Sequence, residues 1–470
     1  MKKIPVVILS VSLLLFFFVS CSNDGSVDEA FNCTITFNGN GATAGEMSAQ
    51  TVGRGVSARL NTNTFGKFCF VFIDWNTEAD GTGTSYSDNQ NISFTESTTL
   101  YAQWELQPLV LSEDMTSWVD GGYYLLNNDA TFEERITVSG KVTLILSDEY
   151  ILTATKGISV NEGNSLTIEA MGNGTGTLNA FAMDPKEDED YYNSNAAIGS
   201  EKNNSSGLIT INGGIVNATS ESYGAAIGGG SEGSGTVIIN GGIVTVTSLD
   251  WGAGIGGGCL GSGTVTINSG IVTVTSEKWG AGIGGGSEGS GTVTINGGNV
   301  TVTSETWGAG IGGGSDESGT VTINGGTVTS ESKQYAAGIG GGCNGSGTVI
   351  INGGTVNASA KGNGAGIGGG SAIGENGGTI TINGGTVNAI AEIEGAGIGG
   401  GYRGSGGTIT INGGIVNAGS GSSVGIGRGM DGDNDGTLTL GEGVSLEVSS
   451  DNTEWSAYDG STRQRYMRTI

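Results

Sequence analysis

The chain has 470 residues, of which 93 are glycine and only 3 proline, with a formal net charge of −28 and no histidine. Glycine at this level without a collagen period, beside 36 % hydrophobic residues, argues against wholesale disorder and for internal repeats. The charge opposes binding to nucleic acid, and the absence of histidine removes the commonest general base and metal ligand.

In chain order, the first element is a targeting segment over residues 1–20. Lys2 and Lys3 precede an apolar run from Ile4 to Val19, and Ser20 stands directly before Cys21. This ending resembles the lipobox of bacterial lipoproteins. The resemblance implies cleavage before Cys21, lipidation of Cys21 and attachment to a membrane in the cell envelope. Ser22 in the next position leans towards the outer membrane or cell surface. An ordinary signal peptide or a membrane span are the alternatives, although the run is short for a span and polar residues follow at once. Residues 21–31 read as a polar tether.

Residues 32–105 form a block with less glycine. Thr34-Ile35-Thr36-Phe37, Phe70 to Trp75 and Thr98 to Trp104 are strand signals separated by Gly/Asn turns. Ile35-Thr36-Phe37-Asn38-Gly39-Asn40-Gly41, Phe72-Ile73-Asp74-Trp75-Asn76-Thr77 and Leu100-Tyr101-Ala102-Gln103-Trp104 resemble the Listeria–Bacteroides (internalin B-type) repeat. Asp74 stands where that family has glycine. The resemblance implies a small β-grasp-like module, used as spacer or adhesion unit on bacterial envelopes, with no enzyme activity. Cys33 and Cys69 could pair within it or remain buried thiols.

Residues 106–205 are expected to cap a longer structure and to supply its first irregular coils, with Asp184 to Tyr192 as an acidic loop. From 206 to 448 a unit of about 28 residues recurs. Its anchor isoleucine falls at 198, 227, 255, 283, 311, 339, 367, 398 and 426. A period of this length means a solenoid or a propeller, and two good strands plus one short one per unit are too few for a propeller blade. Val265-Thr266-Ile267 and Val272-Thr273-Val274 alternate apolar and polar, and Ala281 with Ile283 would be the inward pair of a third side. Asn212, Asn240, Asn268, Asn296, Asn324, Asn352, Asn383 and Asn412 occupy one column. Such amides can hydrogen-bond from coil to coil, and asparagine tolerates a left-handed backbone. The column resembles the asparagine ladder of pectate-lyase-like β-helices. The expected fold is all-β: a small β-grasp-like module, then a right-handed parallel β-helix of about nine coils, then a C-terminal cap over 449–470.

Three surface features invite a functional reading. Tyr223, Trp251, Trp279, Trp307 and Tyr335 stand four residues before successive anchors, with Glu221, Asp250, Glu277, Glu305 and Gln334 nearby. An aromatic row with polar flanks suits sugar rings; a self-stacking column that shields a turn is the competing account. Outward threonines align at 264, 292, 320 and 348 and at 245, 273 and 301, which is ordinary for a solvent-facing strand. Asp431, Asp433, Asp435 and Glu442 match the spacing of a calcium loop, but a strand rather than a helix follows them. Cys259 and Cys343 lie three units apart, about 14 Å at ~4.8 Å per stacked strand, too far for a disulfide. No catalytic residues stand out: the pectate lyases and polygalacturonases that share such a fold use clustered Asp with Arg or Lys, whereas here the basic residues are scattered. The expectation is a non-enzymatic, lipid-anchored envelope protein with a structural or adhesive role. It would use no cofactor, calcium apart, and its partners would be the membrane and a polysaccharide or neighbouring cell surface. A non-binding surface rod and a polysaccharide-active enzyme are the alternatives.

Overall fold

A computed structural model describes residues 32–182, 194–221, 223–371 and 377–470. The expected signal peptide, lipidated Cys21, tether and acidic loop lie outside the described residues. The chain divides into two compact units, one running to residue 105 and one from 106 onward that also takes in residues 68–70. No helix of the described residues is long and apolar enough to cross a membrane.

The first unit is a mixed five-stranded sheet in the order Gln50–Gly53, Asn32–Asn38, Thr98–Leu106, Phe70–Asn76, Ser85–Tyr86. Asn32–Asn38 runs parallel to Thr98–Leu106 and antiparallel to Gln50–Gly53. Strict alternation in Asn32–Asn38 turns Cys33, Ile35 and Phe37 inward. Phe37 and Phe72 pack on the fully buried Trp75, at centroid distances of 4.8 and 5.1 Å. The expected β-grasp likeness is limited to the sheet, because no helix occurs among the described residues.

The second unit is a parallel β-solenoid with three sides. One coil contains Gly263–Ile267, Ile271–Ser276 and Ile283–Gly284. Each strand pairs in parallel with its counterpart one coil on, Thr264 with Thr292, Val272 with Val300 and Ile283 with Ile311. Among the described residues the first side holds 13 strands, the third 12, and the second 11 in parallel followed by three antiparallel strands of the C-terminal cap. The nine coils marked by the anchor isoleucines are all present. Three more precede them, with third-side strands at Ser117–Trp118, Ile136–Val138 and Ile158–Ser159. Their glycine-poor sequence hides the period, yet they stack in the same way.

Val265, Ile267, Val272, Val274, Ala281 and Ile283 all point into the core and are buried. Burial of each Val or Ile contributes about 1.5–3 kcal/mol, and stacking is what makes it complete. At the first coils the bore is filled by larger side chains, Trp118, Tyr124 and Phe132. At the other end Tyr466–Thr469 inserts antiparallel between Ile415–Ser420 and Leu446–Ser449. A reversed strand there covers an edge that would otherwise accept another chain.

The asparagine column forms a continuous ladder. Asn296 Nδ2 donates to Asn268 Oδ1 at 2.7 Å, and Asn324 Nδ2 donates to Asn296 Oδ1 at 2.7 Å. The chain of amides runs from Asn412 down to Asn212, which donates to Glu169 at 2.6 Å. One expectation needs correction. None of these asparagines has a positive φ; the left-handed residue is the second glycine after each, as in Gly270 (φ 99°) and Gly298 (φ 88°). That is why Ser269 can replace the first glycine and nothing replaces the second.

Candidate functional site

The turn between the second and third sides carries the aromatic column. In four coils a buried serine closes this turn: Ser220, Ser248, Ser276 and Ser304 donate from Oγ to the carbonyls of Gly224, Gly252, Gly280 and Gly308 at 2.5–2.7 Å. The bond spans the aromatic residue and fixes its place. The ring's own carbonyl then accepts the amide of a residue one coil on, as when Ser287 N donates to Trp251 O at 2.8 Å and Cys343 N to Trp307 O at 2.8 Å. The sequence pattern of rings was legible; the clamping serines were missed, although a serine four residues before the glycine marks each of them.

The five rings form one stack. Successive centroids from Tyr223 to Trp307 lie 5.5, 4.8 and 4.9 Å apart, with interplanar angles of 14, 12 and 7°. Tyr335 follows at 4.5 Å but tilts by 31°. The cause is local. Ala336 stands where the other four coils have glycine, and a Cβ at the equivalent Gly308 would sit 2.2 Å from the Gly280 carbonyl oxygen. In that coil the Ser332 hydroxyl finds no partner, and Ser330 bonds the Gly338 carbonyl instead.

This geometry determines which ring surfaces are open. The faces of Trp251, Trp279 and Trp307 lie against each other, so solvent meets their edges. Tyr223 is buried, and the three indoles and Tyr335 are half-buried. Coil-to-coil ion pairs run beside the stack, Lys278 to Asp250 at 3.1 Å and Lys333 to Glu305 at 2.6 Å. Lys361 continues this row by pairing with Glu331 and Glu392. The Glu305 partner raises the Lys333 pKa, and the Glu392 partner raises that of Lys361. Exposed pairs of this kind add little stability each, about 0–1 kcal/mol, but they leave the flank polar and offset part of its acidic charge.

Comparison with protein families places these features. Residues 34–103 match the Listeria-Bacteroides repeat domain. Segments 209–231, 237–259, 265–287, 293–315, 321–343, 349–371 and 380–402 each match the beta helix repeat. The chain therefore carries a Listeria-Bacteroides repeat followed by beta helix repeats. No curated protein and no solved structure matches it. The last two matched beta helix repeats hold Asn363 and Glu394 in place of an aromatic residue. The ring column is thus an addition to the repeat and no requirement of it.

The remaining candidates separate. The outward threonines line up as expected, Thr264 beside Thr292 and Thr245 beside Thr273, on exposed strand positions. The calcium-loop spacing does not become a site: among the described residues no three His, Cys, Asp or Glu converge to hold a metal ion. Asp435 Oδ1 instead faces Arg428 Nε at 3.4 Å, and the strand Thr437–Leu440 separates Glu442 from Asp431, Asp433 and Asp435 along the chain. All four described cysteines are free and buried, so Cys33 and Cys69 are unpaired. Burial, then Glu288, Glu232 and Asp250, pushes the Cys259 thiol up to about 12; burial and Asp316 push Cys343 up to about 11.

Proposed function

We propose that this chain is a lipid-anchored protein of the bacterial cell envelope, held at Cys21, whose beta helix serves a structural and adhesive role outside the membrane. The observation that carries the proposal is the five-ring column. It is built into consecutive coils beyond what the repeat requires, and it leaves a long half-exposed aromatic edge flanked by paired charges. Carbohydrate is the ligand class that such an edge suits, because sugar rings offer apolar faces and hydroxyl rims together. A polysaccharide would lie along the column, touching indole edges and the outer face of Tyr335, rather than stacking ring by ring. A non-catalytic role agrees with a chain that lacks histidine and holds several acidic side chains in ion pairs with lysine.

The mutual stacking supports a second reading, in which the column is purely a stiffening spine. A glycan array probed with the whole protein and with the Trp279→Ala and Trp307→Ala variants separates the two. An adhesive column gives saturable glycan signals that both variants lose. Signals unchanged in both variants, accompanied by a lower Tm, would leave only the spine. For the anchor, Cys21→Ser should abolish metabolic labelling with a fatty-acid analogue and release the protein from the membrane fraction.

A further inference from the structure

The reversed C-terminal strand creates a second feature, on the outer face of the second side. Its pairing sets Arg468 opposite Asn417 on one flank and opposite Glu447 on the other, and sets Tyr466 opposite Gly419. Gly419 matters here. The same column carries Thr275, Thr303, Glu331, Ser359 and Ile390 in earlier coils, so the missing side chain at 419 lets Ile390 and Tyr466 close in on the backbone and form one wall of a cavity. A Cβ at Gly419 would lie 3.1 Å from both the Tyr466 ring and Ile390 Cδ1. Trp455 closes the outer wall, with the Arg468 guanidinium 3.9 Å from its ring centroid. The resulting cavity measures about 290 Å³ and is lined by Asn388, Ile390, Asn417, Trp455, Tyr466 and Arg468 among others.

The polar groups in it are positioned and incompletely used. Asn417 Nδ2 donates to Asn388 Oδ1 at 2.9 Å, and Asn388 Nδ2 donates to Asn357 Oδ1 at 2.9 Å. This short amide chain ends at Asn417 Oδ1, an acceptor with no donor among the described residues. Arg468 uses Nε and Nη2 on Glu447 Oε2, at 3.1 and 2.8 Å, which offsets its charge and leaves Nη1 as a donor. The pit therefore offers two aromatic rings, an exposed isoleucine, one amide acceptor, one fixed donor and little net charge.

We propose that this cavity at the C-terminal cap binds one neutral sugar residue of a glycan. Its volume lies just under the range of small-ligand sites, about 300–1,000 Å³, which fits one ring and not an extended chain. Trp455 and Tyr466 meet the apolar face of the sugar, while Asn417 Oδ1 and Arg468 Nη1 meet its hydroxyls. An acidic sugar is disfavoured, since Glu447 already answers Arg468 and the chain carries a net charge of −28. The site is independent of the aromatic column and stands or falls separately from it.

The test is saturation-transfer NMR and titration of the whole protein with the methyl glycosides of glucose, galactose, mannose and N-acetylglucosamine, up to about 10 mM. The expected result is transfer to at least one of them, weakened at least about tenfold, the equivalent of ~1.4 kcal/mol, in both Trp455→Ala and Ile390→Trp. The second variant fills the pit from an exposed position and leaves the cap intact. Binding lost in Trp279→Ala but kept in both pit variants would overturn the proposal and favour the column. Absence of binding to all four glycosides would overturn it, as would binding of adenosine or uridine in their place.

Discussion

Replacing one rung of the asparagine ladder should weaken the solenoid by an amount that depends on where the rung sits. Asn296 takes part in two side-chain bonds, donating to Asn268 at 2.7 Å and accepting from Asn324 at 2.7 Å. Asn412, the last rung, donates to Asn383 at 2.8 Å and accepts from no further asparagine. Leucine has a similar size and cannot bond. Each net hydrogen bond is worth about 0.5–1.5 kcal/mol, and the exposure of Asn296 places its bonds in the lower half of that range. Asn296→Leu should therefore cost about 1–2 kcal/mol, and Asn412→Leu about half as much. Unfolding of a repeat array need not be two-state. The assay is accordingly native-state hydrogen exchange, read coil by coil beside urea unfolding followed by far-UV circular dichroism. The interior substitution should raise exchange in the coils of Asn268 and Asn324, and the terminal one only near Asn383. Equal effects of the two substitutions would refute the view that the ladder acts through its pairwise bonds.

Other outcomes follow from the same geometry. Gly298→Ala places a side chain at φ 88° and should lower stability by at least about 1–2 kcal/mol, whereas Gly297→Ser, which copies the natural Ser269, should be tolerated; melting temperatures decide between them. Cys259 and Cys343 should resist alkylation at pH 8 in the native protein and react once it is unfolded, as thiol titration would report. The folded Cys259 thiol keeps its proton to about 12 while the unfolded one loses it near the ordinary 9.0, so its contribution to stability is complete below pH 9 and lost between pH 9 and 12. Removal of residues 463–470 deletes the reversed strand and the Arg463 guanidinium that bonds the Gly436 carbonyl at 3.1 Å, and should cause aggregation visible by light scattering through the opened sheet edge.

The sequence by itself determined the repeat, its register and its inward residues. Each coil is specified by the same short code, and a parallel stack turns a linear period into a vertical column. That is why the asparagines, the isoleucines and the five aromatic residues already align along the chain. Tertiary structure decided what those columns do. Stacking at 4.8–4.9 Å turns the faces of Trp251, Trp279 and Trp307 onto each other, a fact about ring orientation that spacing does not encode. The left-handed position belongs to Gly270 and its equivalents, because the bend falls two residues after the amide. Among the described residues the acidic run near 431 does not converge as a set of metal ligands, and Asp435 faces Arg428 instead. The C-terminal pit was invisible for the most general reason. It joins Asn388, Asn417, Trp455 and Arg468 through a strand that reverses direction, and no period along the chain announces a reversal.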